Sequence, residues 1–435
     1  MPTKVIIGLQ WGDEGKGKVV DNIVHNWADV CVRYQGGPNA GHTIYDDQQN
    51  KFVTHALPSG VLKDNCLNII AKGCVTNPVT LQKEIYEFKT SNKNLRISSQ
   101  CPLILPHHIL LDKLKYQTRI GTTAKGIGPA YSEYISRDNK TLHDLCFNLD
   151  DLKEYVSSSL LVLDKIHNDT PLNNIITKFF EENSYSTDLR SLLYTHNVRD
   201  FLKNEYFPQL EELSNFYKDY IDNTDSIIQQ LYLDNKNIVL EGAQGWGLDV
   251  WGKSYPNVTS STPNIGGVLT YTGLNHKQID EVIGIVKAYK SKVGEGNFRT
   301  ETELYDDYNN FAYSSNVIED VAELRLSLGE YGATTGRPRR LGYLDLDEIK
   351  EACKTNGVDT IVITRLDSLC NFLKIKVYNE DQFIEYKKWE KIDNEEALNQ
   401  YNLKQFTNDI SKFTGIKNIS FSYGPKRGQI KWQQN

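Results

Sequence analysis

The chain has 435 residues, of which 39% are hydrophobic and 24% are charged, a composition typical of a globular protein with a large core. Its net charge of −7 argues against a nucleic-acid-binding protein, which normally carries a basic surplus. The seven cysteines are scattered without a Cys-x-x-Cys pair, and no apolar run approaches membrane-spanning length. We therefore expect a cytoplasmic protein that binds neither nucleic acid nor membrane.

The chain opens with a buried strand, a glycine-rich turn and a helix, which is how an α/β fold begins. Lys4–Gln10 is a β-branched apolar run, Gly12–Gly17 is the turn, and Lys18–His25 has helical periodicity. Several of the later apolar runs lack alternation, which indicates a large, mostly parallel central sheet flanked by helices. Further strands are predicted at Val30–Tyr34, Phe52–Ala56, Leu67–Ala71, Asn237–Glu241, Val282–Val286 and Asp359–Thr364, and helices at Pro78–Phe88 and Leu346–Lys354.

Residues 148–232 differ from the rest in being rich in Leu, Lys, Glu, Asn and Tyr and poor in Gly. We predict that they form a helical insertion on one side of the sheet, within a single domain that spans residues 1–435.

The first loop, Gln10–Lys18, has the composition of a phosphate site. Glycine N–H groups and a helix N-terminus suit phosphate oxygens, and Lys16 would neutralise their charge. The loop matches neither the dinucleotide fingerprint nor Walker A, since Gly17 stands where Ser or Thr should hold Mg²⁺. The carboxylate of Asp13 would repel a nucleotide unless it binds Mg²⁺ or acts as a base. An ordinary glycine-rich turn is the alternative.

Three later segments are also candidates. Arg33–Thr43 follows a strand and is interpreted as a loop at the carboxyl end of the sheet. Gly121–Tyr131 suits a phosphate monoester, or is a flexible surface loop. Gly332–Arg340 ends in an arginine cluster that suits carboxylates and phosphates, or is a solvated basic turn. Asp367 could accept hydrogen bonds from guanine N1–H and from the exocyclic amine at once. Adenine offers no matching pair of donors, so a carboxylate at this position would select guanine.

The run Gln10–Lys18 resembles the N-terminal signature of the adenylosuccinate synthetase family, and the resemblance continues at intervals from residue 4 to about residue 425. It implies a P-loop-like GTP-binding architecture and a ligase that joins L-aspartate to IMP through 6-phosphoryl-IMP. The products are adenylosuccinate, GDP and phosphate, in the first committed step of AMP synthesis from IMP. Mg²⁺ and the co-substrate GTP are implied, as is a homodimer in which Arg137 reaches the partner's IMP site.

The resemblance also implies the residues of the site. The catalytic set is Asp13, Lys16, His42 and Gln244, and the metal ligands are Asp13 and the Gly41 carbonyl. The GTP set is Gly12, Asp13, Glu14, Gly15, Lys16, Gly17, Lys18, Gly41, His42, Thr43, Arg339, Arg365, Leu366, Asp367, Ser422, Tyr423 and Gly424. The IMP set is Asp13, Asn39, Ala40, Gly41, His42, Thr122, Thr123, Arg137, Gln244, Thr259 and Arg337. The aspartate set is Ala333, Thr334, Thr335, Gly336, Arg337 and Arg339.

The chain departs from the family pattern at Pro38, where a polar residue is commoner, at Tyr134 and Arg365, where Lys is usual, and at Arg299, where Pro is usual. A GTPase switch, an NAD-dependent dehydrogenase and a non-catalytic paralogue remain alternatives. The switch would require an Asn-Lys-x-Asp reader, which the sequence does not contain. The presence of the catalytic set favours an active enzyme.

Overall fold

The computed structural model describes residues 2–46, 48, 50–166, 202–301, 312–313, 316–317, 321–332, 336–372 and 374–433. A ten-stranded central sheet runs through them from one end to the other. In chain order its strands are β1 Thr3–Gly8, β2 Val30–Gly36, β3 Leu67–Cys74, β4 Leu95–Ser98, β5 Ile221–Asp222, β6 Ile238–Glu241, β7 Glu281–Lys287, β8 Thr360–Thr364, β9 Asn418–Ser422 and β10 Ile430–Lys431.

Across the sheet the strands follow the order β10-β9-β8-β7-β1-β6-β2-β3-β4-β5. All neighbouring pairs are parallel except β9 and β10. The prediction of a large, mostly parallel sheet is confirmed.

The central strand β1 shows why these apolar runs form strands that are buried on both faces. Val5, Ile6 and Ile7 are fully buried although successive side chains of a strand point to opposite faces. Ile6 belongs to a core cluster with Val19 of the first helix, whereas Val5 and Ile7 belong to a larger cluster on the other side. Helices therefore cover both faces of the sheet.

Side chains in the sequence fix where several helices begin. Asn77 accepts hydrogen bonds from two backbone N–H groups of the helix Pro78–Glu87, and Asp345 accepts one from the helix Leu346–Asn356. Among the described residues, no helix is long and apolar enough to cross a membrane. The other α-helices are Lys16–Asn26, Pro106–Leu111, Thr118–Ile120, Ile127–Ser136, Leu142–Phe147, Leu149–Ile166, Phe207–Tyr217, Thr224–Leu233, Ile265–Tyr271, Val321–Leu328, Leu366–Leu369 and Tyr401–Thr414. Shorter 3₁₀ or π turns occupy Ser59–Leu62, Asp112–Gln117, Leu202–Tyr206, Trp246–Leu248, His276–Gln278 and Glu396–Asn399.

The predicted strand Phe52–Ala56 is present at Lys51–Thr54, where it pairs with His42–Tyr45 in a separate two-stranded sheet. The predicted loop Arg33–Thr43 needs correction at both ends, since it begins inside β2 and ends inside the strand His42–Tyr45. At the second end, pairing with Lys51–Thr54 gives the backbone groups hydrogen-bond partners. Further small sheets pair Lys290–Lys292 with Arg340–Gly342, Ala312–Tyr313 with Asn316–Val317, and Lys374–Asn379 with both Leu344–Asp345 and Gln382–Lys387.

The segment 148–232 is mostly helical where it is described, but it also contains β5, which lies at the end of the central sheet beside β4. The expectation of helices alone was therefore wrong for Ile221–Asp222, since two residues are too short to carry a strand pattern. Residues 167–201 of the predicted insertion lie outside the described residues.

Parallel strands bring distant parts of the sequence to one edge. β1, β2, β6 and β8 all end at the carboxyl edge of the sheet, and each is followed by a segment that the sequence singled out. Open α/β sheets bind their ligands at this edge.

Ile285, fully buried on β7, packs in the cluster that holds the first helix against the sheet. We expect Ile285→Ala to lower the free energy of unfolding by about 2–5 kcal/mol, because a cavity replaces well-packed methyl groups. The control Leu233→Ala, at a side chain that is 66% exposed, should change it by less than about 0.5 kcal/mol. Urea unfolding followed by circular dichroism measures both, and equal losses would contradict the assigned packing.

Candidate active site

A cavity of about 300 Å³ lies over the first loop at the carboxyl edge of the sheet. It brings together segments that follow β1, β2 and β6 with the end of the arginine loop. The predicted site residues on its wall are Gly12, Asp13, Gly15, Lys16, Gly17, Asn39, Ala40, Gly41, His42, Thr43, Thr123, Gln244 and Arg339.

A second cavity of about 570 Å³ adjoins the first, and the two share Asn39, Thr123 and Gln244 on their walls. Thr122, Thr259 and Arg337, three other residues of the predicted IMP set, line only the larger cavity. Molecules bound in the two cavities would therefore be direct neighbours.

A buried carboxylate closes the first loop on itself. Glu14 Oε1 accepts hydrogen bonds from the N–H groups of Gln10 and Gly12 at 3.2 and 2.9 Å, and Glu14 Oε2 lies 2.5 Å from Lys16 Nζ. Glu14 lies outside both cavity walls, so its side chain shapes the loop and pairs the lysine. Close packing requires glycine beside it, since a Cβ at Gly8 would lie 2.4 Å from Glu14 Oε2.

His42 is held by a second buried carboxylate, Glu241, at the end of β6. Glu241 Oε1 contacts His42 Nδ1, and Glu241 also accepts from the N–H and hydroxyl of Ser59 at 2.7 and 2.6 Å. Arg33 Nη1 lies 3.3 Å from the same ring nitrogen and 3.6 Å from Glu241 Oε1. Because the carboxylate is nearer, Nδ1 carries a hydrogen, which leaves Nε2 for chemistry in the cavity.

Burial lowers the pKa of His42 below its usual value, and Arg33 and Lys16 act in the same direction, whereas Glu241 opposes them. Burial raises the pKa of Glu241, but His42 and Arg33 outweigh that effect and bring it to about 2. Glu241 is therefore ionised and favours the protonated imidazole beside it.

Asp13 carries the carboxylate that the first loop presents to the cavity. Its backbone is left-handed, with φ of 59°, and its side chain is 34% exposed. Asp13 Oδ2 lies 2.8 Å from Arg339 Nε, so the arginine loop contacts the phosphate loop directly.

Gln244 also has a left-handed backbone, with φ of 56°. Its Nε2 is 3.4 Å from Asn39 Oδ1, and its Oε1 is buried without a hydrogen-bond partner in the part of the chain that the structure describes. A buried polar atom that lacks a partner in a cavity wall is suited to a ligand.

Arg337 joins the arginine loop to the loop Gly121–Tyr131. It donates to the carbonyl oxygens of Gly121 and Thr122 at 2.7 and 2.9 Å. The buried carboxylate of Asp112 fixes the same loop by accepting from the Thr122 hydroxyl at 2.6 Å and from Gly126 N–H at 2.8 Å.

The residues predicted to recognise guanine lie outside both cavity walls. Lys18 Nζ donates to the Ser422 hydroxyl and to the carbonyls of Tyr423, Gly424 and Gln429 at 2.8–3.2 Å. Burial lowers the pKa of Lys18 to about 7, although the negative charge of Asp367 acts to raise that pKa. Lys18 therefore ties the first helix to the end of β9.

The segment after β8 carries the rest of this group. Leu366 and Asp367 begin the short helix Leu366–Leu369, and Arg365 immediately precedes it with φ of 63°. Arg365 Nε donates to Tyr289 OH at 3.3 Å, and its Nη2 contacts the Leu328 carbonyl.

Two further predicted residues, Gly336 and Arg137, lie outside both cavity walls. Gly336 donates its N–H to the Gly332 carbonyl at 2.8 Å, and Arg137 is exposed at the end of the helix Ile127–Ser136. Ala333, Thr334 and Thr335 lie outside the described residues.

Sequence reasoning did not assign a role to Glu241 or to Glu330, whose buried carboxylate accepts from Arg339 Nη1 at 2.8 Å. One signal for Glu241 was available, because an acidic residue at the end of a fully buried strand requires a charged partner. Glu330 follows a segment without a clear pattern and gave no such signal.

Comparison with known proteins gives one consistent result. A family model described as adenylosuccinate synthetase matches residues 5–423. The adenylosuccinate synthetase of Wolinella succinogenes is 34% identical over 452 residues, covering 98% of this chain and 99% of the relative. That of Halothermothrix orenii is 39% identical over 386 residues, covering 87% and 80%.

Solved structures agree with the sequence relatives. The fully ligated adenylosuccinate synthetase from Plasmodium falciparum superposes with a TM-score of 0.81 at 27% identity, over 100% of both chains. A cyanophage S-2L succinoaminodeoxyadenylate synthetase, with a TM-score of 0.58 and 17% identity over 100% of this chain and 96% of its own, shares the fold.

The Glu241 contact predicts how His42 titrates. In Glu241→Gln the His42 ring should titrate at lower pH than in the parent, because the charge that favours the imidazolium has been removed while burial and Arg33 remain. Nitrogen-15 NMR of labelled histidines measures this, with the exposed ring of His276 as the internal reference. An unchanged or higher His42 midpoint would contradict the contact.

Proposed function

Because the chain belongs to the adenylosuccinate synthetase family, we propose that its two adjoining cavities divide the reaction of that family between them. The reaction joins aspartate to IMP with GTP as a step of AMP synthesis. IMP would occupy the larger cavity, and the GTP phosphates would lie over the first loop. One observation carries the proposal: Asp13, Lys16, His42 and Gln244 converge on the wall of one cavity.

In the first step Asp13 would accept the proton from N1 of IMP, and O6 of IMP would attack the γ-phosphorus of GTP. The bond from that phosphorus to the β–γ bridging oxygen breaks, giving GDP and 6-phosphoryl-IMP. Lys16 would stabilise the negative charge that develops on the phosphates, and so would His42 once its Nε2 takes up a proton, which the negative phosphates beside it favour. Gln244 would hold the purine through its unpartnered Oε1 or its amide N–H.

In the second step the amine of aspartate would attack C6 and the bond from C6 to O6 would break, so that inorganic phosphate leaves with the proton that the amine loses. Arg337 and Arg339 would pair with the two carboxylates, since guanidinium groups bind carboxylates in bidentate geometry. Ala333, Thr334, Thr335 and Gly336 complete the proposed aspartate set. Positioning of the amine against C6 would supply much of the rate acceleration.

Mg²⁺ fits the residues present. The Asp13 carboxylate and the Gly41 segment line the same cavity as Lys16, and oxygen ligands from one carboxylate plus substrate phosphates are what Mg²⁺ commonly uses. We propose that Asp13 and the Gly41 carbonyl would hold it, and the bound ion would supply charge neutralisation on the phosphates.

Selectivity for guanine is proposed for the segment after β8 together with Ser422–Gly424. Asp367 would accept from guanine N1–H and the exocyclic amine, and Leu366 would pack beside the base. Lys18 would act by clamping Ser422–Gly424 to the helix that begins at the phosphate loop.

We also propose a cytoplasmic homodimer of single-domain subunits, with Arg137 completing the partner's IMP site. Arg137 is exposed beside Ile135, which is 78% exposed and lines the larger cavity, as does Tyr255, which is 72% exposed. Exposed apolar side chains around a cavity favour cover by another subunit. The seven cysteines are all unpaired, as is typical of a reducing compartment.

The direct test is a coupled absorbance assay for adenylosuccinate with GTP, IMP, aspartate and Mg²⁺. Asp13→Ala should lower kcat by about 10²–10⁴-fold, because the proton acceptor is removed. Product should require all three substrates and should fall sharply when ATP replaces GTP. The control Asp393→Ala, at an exposed carboxylate outside both cavities, should retain parental activity.

GTP consumption that ignores IMP and aspartate would overturn the ligase assignment in favour of a switch GTPase. A folded parent that forms no product would indicate a non-catalytic paralogue.

The shared site predicts complementation between two inactive variants. Arg137→Ala and Asp13→Ala should each be almost inactive, but an equimolar mixture should recover about a quarter of parental activity. Half of the dimers would be mixed, and each mixed dimer has one intact site. Activity no higher than the mean of the two variants would contradict a role for Arg137 in the partner's site.

A further inference from the structure

Glu330 is a carboxylate on which buried cations converge. Its side chain is 2% exposed, and it lines neither cavity. Glu330 Oε1 lies 2.9 Å from Lys287 Nζ and accepts from Tyr289 OH at 2.5 Å, and Glu330 Oε2 accepts from Arg339 Nη1 at 2.8 Å. Both oxygens are therefore engaged, one towards β7 and one towards the arginine loop.

The contacts continue in both directions. On one side, Arg339 Nε lies 2.8 Å from Asp13 Oδ2, in the cavity. On the other side, Tyr289 OH accepts a hydrogen bond from Arg365 Nε at 3.3 Å. Arg365 immediately precedes the short helix that carries Asp367. One continuous polar network thus runs from the segment after β8 to the phosphate loop.

Glu330 supplies the negative charge that offsets the buried cations Lys287 and Arg339 in this network. Burial raises the pKa of Glu330, but Lys287, Arg339 and Arg365 outweigh it and hold that pKa well below its usual range. A neutral residue at this position would leave Lys287 and Arg339 buried beside each other without the carboxylate that both contact. Side chains in that position repel each other and change their geometry.

We propose that Glu330 is a positioning residue that couples the guanine side of the site to Asp13. Its Oε2 holds Arg339, which contacts Asp13, and its Oε1 holds Tyr289, which in turn contacts Arg365. Glu330 touches no reacting atom and acts only through these residues. The inference rests on the proposed function, which supplies the roles of Asp13 and of the guanine side.

Two variants separate the two arms of the network. Glu330→Gln should lower kcat about tenfold or more and also raise the KM for GTP, since small misplacements at a reacting centre are costly. Tyr289→Phe breaks only the arm towards Arg365, so it should raise the KM for GTP about threefold while kcat stays within about twofold. The KM for IMP should stay within about twofold in both variants.

Glu301→Gln is the matched control. It removes the carboxylate that pairs with Arg340 at 2.7 Å. Arg340 is the residue next to Arg339, but the Glu301–Arg340 pair is not one of the contacts that link Asp13, Arg339, Glu330 and Arg365. All its kinetic constants should stay within about twofold of the parent.

The outcomes separate this inference from the function on which it rests. If the parent forms adenylosuccinate but Glu330→Gln keeps kcat within about twofold, or matches Glu301→Gln, the positioning role is wrong. A merely structural role would lower the melting temperature and the active fraction without raising the KM for GTP. If Glu330→Gln does not fold, Tyr289→Phe decides alone, and an unchanged KM for GTP overturns the coupling. A parent that forms no product refutes the proposed function instead.

Discussion

Burying a charged side chain is costly unless an opposite charge lies beside it, and this electrostatic constraint governs the carboxyl edge of the sheet. Glu14 pairs with Lys16 beneath the first loop, and Glu241 pairs with His42 behind the second. In both pairs the carboxylate is fully buried, whereas Lys16 and His42 line the cavity. Each carboxylate holds its partner side chain from behind, which leaves the outer side of Lys16 and of His42 for an anionic ligand.

The parallel sheet makes such pairing possible because it collects carboxylates from distant strands. Glu241 ends β6, which lies between β1 and β2, and these neighbours lead to the first loop and to His42. The same geometry places Lys287 at the end of β7, beside β1 and β8. The electrostatics of the site therefore depend on the packing of the central strands, since a shift of β6 would separate His42 from the Glu241 carboxylate.

The sequence predicted what local patterns determine. β1 and the helix Leu346–Asn356 were located closely, because an unbroken β-branched run and a clear apolar period mark them. The contact between His42 and Glu241 spans 199 residues, and no local pattern encodes it. The contacts of Lys18 were missed for a similar reason: four acceptors from the C-terminal segment, more than 400 residues along the chain, surround its ammonium group.

The contacts of Arg299 and Arg365 explain what these two departures from the family pattern do in the structure. Arg299 forms a double contact with Asp345, at 3.1 and 2.6 Å, and Asp345 also caps the helix Leu346–Asn356, so that this arginine serves the scaffold. Arg365 is different, because its guanidinium is directed at Tyr289 and at the Leu328 carbonyl. A side chain held in that way does not extend towards a base bound at Asp367. In the proposed site the choice of guanine over adenine therefore falls on the Asp367 carboxylate, while Arg365 contributes by holding the backbone from which that carboxylate projects.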